Sequence, residues 1–178
     1  MLAGLRGAGI AQFPATRQAF LNSLAPWLAV PLVGGVLLLI DGQPRAAIGN
    51  VLFAAVALLA PAVVSHAIAR WWGRDAGWLR YAIAFNWCQW VITAGGLAAL
   101  VLAEVATDIG LPRNAVLIVL SLGFLAYAMA VQVALASVGL AITRLRAVGL
   151  IVMVNLAALA LVLLPQLPML SRAGSAGG

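Results

Sequence analysis

Between Arg113 and Arg144 the chain runs for 30 residues without a charged side chain. Roughly 20 apolar residues cross a bilayer as a helix, so this one run is long enough to span with tilt or to protrude. Other apolar runs lie on either side of it. Over 178 residues, 65% are hydrophobic and 8% charged, whereas a soluble domain carries about 25% charged residues to cover itself. Lipid is therefore the solvent this sequence suits, and the length fits one membrane domain with nothing left over for a soluble one.

The runs divide the chain into three parts. Residues 1–21 are mixed, with Arg6, Pro14 and Arg17. Phe13, Phe20 and Leu21 fall on one side of a short helix from Pro14 that would rest on the membrane surface, the alternative being a frayed tail. Residues 22–164 hold five expected spans, at 22–40, 46–70, 81–103, 114–142 and 147–164. A Gly/Ser/Ala-rich tail, expected to be flexible, closes the chain over residues 165–178, after Pro165. Pro26, Pro31 and Pro61 lie inside spans, where neighbouring helices can satisfy the carbonyl that proline frees. Residues 41–45 read as a tight turn, and Arg144 and Arg146 as a very short one. The fold class is then all-α, a polytopic transmembrane bundle of five helices. The first twenty residues lack a continuous apolar core, so no cleaved leader is expected.

All ten basic residues are Arg, and the net charge is +6. They sit singly or in pairs between apolar runs, as topology determinants do, and form no basic patch of the kind that binds nucleic acid. Arg6, Arg17, Arg70, Arg74, Arg80, Arg144 and Arg146 fall on one side of a five-span arrangement, and Arg45, Arg113 and Arg172 on the other. Positive residues stay in the cytoplasm, which predicts a cytoplasmic N-terminus, a C-terminus on the opposite side, and a multi-pass protein of a cell inner membrane.

Polar groups inside spans are the informative exceptions, because each must find a partner there. Asn86, Gln89 and Thr93 in the third span fall at i, i+3 and i+7, on one helix face. Their plain role is bonding between helices, worth about 0.6 kcal/mol per bond on average; the alternative is the lining of a polar path. His66, near the end of the second span, is expected at a depth similar to Asn86. Gln132 in the fourth span and Asn155 in the fifth could extend that network, while Asn50 stands alone in the second. A lone His can relay a proton, but it more simply reads as neutral and satisfied by Ser65, Asn86 or Gln89. Cys88 points away from Asn86, and the lone thiol reads as an apolar filler.

Five of the six Trp lie between Ser65 and Thr93. Arg70, Trp71, Trp72, Arg74, Trp78, Arg80 and Tyr81 form a turn suited to headgroup depth, where amphipathic rings anchor and guanidinium groups meet the phosphates of anionic lipids. Asp75 in this turn reads as an ion-pair partner of Arg70, Arg74 and Arg80. Ala126, Ala130 and Ala134 make a small-residue stripe on the fourth span, suited to close helix contact within the chain, with a second copy or with another membrane protein. Gly95 and Gly96 offer the third span a similar approach or a flexible point.

No metal-ligand set, phosphate loop or nucleophile motif is present, so neither a cofactor nor a catalytic residue is expected. The five apolar runs and the stretch RYAIAFNWCQW (residues 80–90) resemble the small bacterial members of the Yip membrane-protein family. That resemblance implies an integral membrane protein for which transport or membrane organisation is often supposed. The longer acidic N-terminal region that links eukaryotic Yip proteins to vesicle traffic has no counterpart here. The function expected is a non-enzymatic scaffold, lipid-interacting or assembly protein. The alternatives are a small transporter or channel using the polar stripe, and an accessory subunit of a membrane enzyme complex.

Overall fold

The computed structural model describes residues 7–163. Five helices follow one another: α1 (Arg17–Ile40), α2 (Pro44–Trp71), α3 (Asp75–Asp108), α4 (Arg113–Gly139) and α5 (Arg144–Leu163). The protein is all-helical, at 88% helix, and the described residues contain no strand. All five helices are long and apolar enough to cross a membrane, so the architecture is that of a multi-pass membrane protein. Large apolar side chains such as Val30, Leu37, Leu52, Val63, Leu100 and Leu122 are exposed in both halves of the sequence. That surface is tolerable only in lipid, where an exposed Leu costs nothing.

The helix boundaries differ from those that hydropathy predicts, each for a local reason. Helix α1 starts at Arg17, so Phe20 and Leu21 lie within it. Thr16 caps it, its Oγ1 accepting from the Ala19 N–H at 3.1 Å, which satisfies one of the orphan donors of a first turn. Ahead of it, a 3-10 turn at Gly7–Gln12 packs on α4 and buries Ile10. Helix α2 starts with Pro44 at its first position, where the missing N–H is no loss. Helix α3 has 34 residues, about 50 Å at 1.5 Å per residue. Arg80 and Glu104, both placed on it, are about 36 Å apart along the axis. The pair clears a hydrocarbon core of about 30 Å, so these charges belong to helix ends rather than to loops.

Helix α4 stops at Gly139 and does not run on to Ile142; residues 140–143 form the turn. Arg144 and Arg146 lie inside α5, whose cap is Thr143, with Oγ1 accepting from the Arg146 N–H at 3.4 Å. Four helices end in the same way. The N–H groups of Gly42 and Gln43, of Gly73 and Arg74, of Gly110 and Leu111, and of Ala141 and Ile142 turn back onto carbonyls of the preceding helix. This is the Schellman closure, which needs a left-handed residue just past the helix. Three of the four use Gly; the fourth uses Ala141, at φ 50°.

Two compact units divide the chain: Leu21–Asp75 with Val152–Gly178, and Met1–Phe20 with Ala76–Ile151. In the second of these, α3 and α4 form an antiparallel hairpin. A Cβ on Gly77 would meet the Gly139 carbonyl oxygen at 2.7 Å, and one on Gly139 would meet Tyr81 Cβ at 2.9 Å. Further along, Gly95 and Gly96 lie against the Phe124 ring. Beyond them a small cavity of about 110 Å³ is lined by Ala99, Ala103, Leu117 and Leu120, among others. Residues 81–86 are buried without a break, and Ala147, Leu150 and Ile151 of α5 are fully buried. Phe20 and Trp78 rings meet at 5.7 Å. Where the chain turns from α3 to α4, Arg113 Nη2 donates to Glu104 Oε1 at 2.9 Å. Both side chains are more than half exposed, so the pair contributes little.

In the other unit, α1 and α2 approach at Gly34 and Gly35, where a Cβ on Gly35 would meet Val51 Cγ2 at 2.7 Å. The Asn50 amide donates to the Pro31 carbonyl at 3.5 Å. The two Gly pairs inside the helices thus serve one purpose, letting a neighbouring helix come close.

Candidate functional site

The polar groups inside the spans fall into two sets. On α3, Asn86 is buried, Gln89 half-buried and Thr93 exposed. The predicted face therefore exists as a helical stripe, but it runs from the core outward. Gln132 on α4 is as buried as Asn86, at 7% against 8% exposure. The hairpin register, with Tyr81 against Gly139 and Gly95 and Gly96 against Phe124, places Asn86 and Gln132 within about 3 Å of the same level along the helix axes. Both are partnered. Two buried amides at one level of a helix pair fix its register, since a slip would strand them in hydrocarbon. Thr93 has no part in this layer.

Hydroxyls elsewhere turn back on their own helices. Ser65 Oγ donates to the Ala62 carbonyl at 3.1 Å, Thr107 Oγ1 to Glu104 at 2.7 Å, and Ser137 Oγ to Ala134 at 3.0 Å. Such bonds satisfy a hydroxyl without a second helix. Cys88 is a buried free thiol. Among the described residues no group of three or more His, Cys, Asp or Glu side chains could hold a metal ion.

His66 lies in the other unit, in the last two turns of α2. With Val63, Ala67, Arg70 and Trp71 it lines an open depression of about 420 Å³. The Arg/Trp segment predicted as one turn is mostly helical. Arg70 and Trp71 end α2, only residues 72–74 connect, and Trp78 and Arg80 belong to the first turns of α3. Trp71 is 82% exposed and Trp72 half-buried. Arg74 and Arg80 are exposed, and Trp78 is half-buried against Phe20.

Two expectations for this segment are overturned. Tyr81 is not an interfacial ring: it is 1% exposed, its ring 5.8 Å from that of Phe85 and its Cβ against Gly139. Only a residue without a side chain at position 139 leaves room for it there. Asp75 forms no ion pair with Arg70 or Arg74. It occupies the first turn of α3, where the positive end of the helix dipole already favours a carboxylate.

On α4, Ala126 and Ala130 are exposed and Ala134 half-buried. The face of α4 packed on α3 is instead built from Phe124 and Gly139. Sequence reasoning missed Gly34, Gly35, Gly77, Gly139 and Thr143. The Gly34–Gly35 dipeptide was as visible as Gly95–Gly96, whereas the pairing of Gly77 with Gly139 needs the register.

No known protein family matches the chain, and neither a curated protein nor a solved structure is similar to it.

Proposed function

We propose that this chain is a non-enzymatic integral membrane protein of Yip-like type, set in a cell inner membrane with its N-terminus in the cytoplasm. It acts as a lipid-contacting scaffold in the assembly of other membrane proteins. One observation supports this reading above the others: Asn86, Gln132 and Ser65 are buried and Ser65 and Ser137 bond back onto their own helices, while the exposed surface is dominated by large apolar side chains, with Asn50, Thr93 and Asn155 as scattered polar groups on it. At the end of α2, Arg70 and Trp71 also meet the surroundings directly. A protein with that surface does its work by what it touches in the membrane. The exposed Ala126 and Ala130 give α4 a face that a partner helix can approach closely. Extraction in a mild detergent should return the chain as a defined oligomer or with other membrane proteins. Recovery as a lone monomer would count against the scaffold role.

Transport is the second reading, and the buried Asn86 and Gln132 at one level of the α3–α4 hairpin are what favour it. Paired amides of this kind can hold a polar solute as well as a helix register.

A further inference from the structure

We propose that the last two turns of α2 bind the headgroup phosphate of an anionic phospholipid, with Arg70 as the charged donor and His66 as a second donor one turn deeper. Val63, His66, Ala67, Arg70 and Trp71 line a single depression of about 420 Å³. His66 and Arg70 are four residues apart, so they share one face of α2 with an axial separation of about 6 Å. A phosphate resting between them meets a guanidinium on one side and an imidazole on the other.

The charge balance selects an anion. No carboxylate lines the depression, and Arg70 has no ion pair among the described residues. A guanidinium at the end of a span, facing headgroups and lacking a carboxylate, is complemented by a phosphate, which it can bind through two N–H groups.

The apolar half of the depression selects a lipid over a free phosphate. Val63 is 64% exposed and Trp71 82%. An inorganic phosphate would leave both uncovered, whereas a lipid lays its glycerol and upper acyl chain along Val63 and Ala67 while Trp71 sits at headgroup depth. The polar groups lie toward the helix end and Val63 lies deeper, the order in which a lipid presents headgroup and chain.

The inference rests on the lipid-contacting reading of this helix end, and one experiment separates the two. The full chain in mild detergent is titrated with phosphatidylglycerol or phosphatidylcholine, and bound lipid is counted by native mass spectrometry. Wild type is expected to prefer phosphatidylglycerol. Arg70→Gln should weaken that preference about fivefold, the share of one basic side chain near a membrane surface. Arg45→Gln, at the opposite end of α2, should leave it unchanged. A wild type without preference removes both the lipid-contacting reading and the inference. A preference that survives Arg70→Gln, or falls equally with Arg45→Gln, removes the inference alone. Inorganic phosphate displacing the lipid from wild type would assign the site to a free anion and overturn the choice of lipid. Wild type also gives a test that needs no variant. Phosphatidylglycerol with a photoreactive headgroup should crosslink within residues 63–71, and crosslinks confined to other segments would overturn the proposal.

Discussion

Ala141 holds a backbone conformation that glycine fills at three equivalent places in the chain. A left-handed residue with a Cβ is strained by roughly 1–2 kcal/mol, part of which glycine would return as greater freedom of the unfolded chain. Ala141→Gly is therefore expected to stabilise the protein by up to about 1 kcal/mol, read as a rise in melting temperature in detergent. Gly77 predicts the opposite sign. Its Cβ would lie 2.7 Å from the Gly139 carbonyl oxygen, and backbone cannot step aside. Gly77→Ala should cost about 1–3 kcal/mol, as overpacking does, and an unchanged melting temperature would show that the hairpin does not close as tightly as described. Composition could flag Gly and Ala at these positions but not their roles. A glycine in a turn and a glycine under a neighbouring carbonyl read alike until the partner strand of chain is known. Tyr81 shows the converse: an aromatic beside an Arg looks interfacial, and only Gly139 makes a buried place for it.

At the scale of helices, the number and order of spans could be read from hydropathy because each run exceeds what a bilayer needs. Their ends could not. Hydropathy treats Asp75, Arg80, Glu104 and Asp108 as loop residues, yet a helix continues into the headgroups wherever its backbone bonds are cheaper kept than broken. Thr16 and Thr143, each directly before an Arg, set helix starts by capping, a signal that hydropathy does not register. The α3 stripe was legible as a period, but its direction from core to surface was not, since that depends on where α4 lies. The stripe makes a direct test of transport. In a Cys88→Ala background, cysteines at positions 86 and 89 should resist a charged thiol reagent, being buried and half-buried. A cysteine at 93 should react only with a membrane-permeant one, because it faces lipid. Labelling of positions 86 and 89 by the charged reagent would establish a water-filled path and favour transport over scaffolding.

For the whole molecule, the proposed orientation rests on counting Arg at alternate helix ends. Arg70, Arg74 and Arg80 still gather at one connection, and Arg144 and Arg146 at the start of α5. A reporter enzyme that works only in the cytoplasm, fused after Gly178, is expected to be silent. Activity from that fusion would reverse the proposed orientation.

The single cysteine has a use that its chemistry would not suggest. Cys88 is 3% exposed and the chain carries no other thiol. A small permeant thiol reagent can therefore reach sulfur only when α3 is transiently uncovered. At reagent concentrations where closing outruns modification, the rate of single-site labelling equals the opening equilibrium constant times the intrinsic reaction rate. The native protein thus has a built-in clock for its own breathing in an intact bilayer, readable without denaturant and without altering a residue.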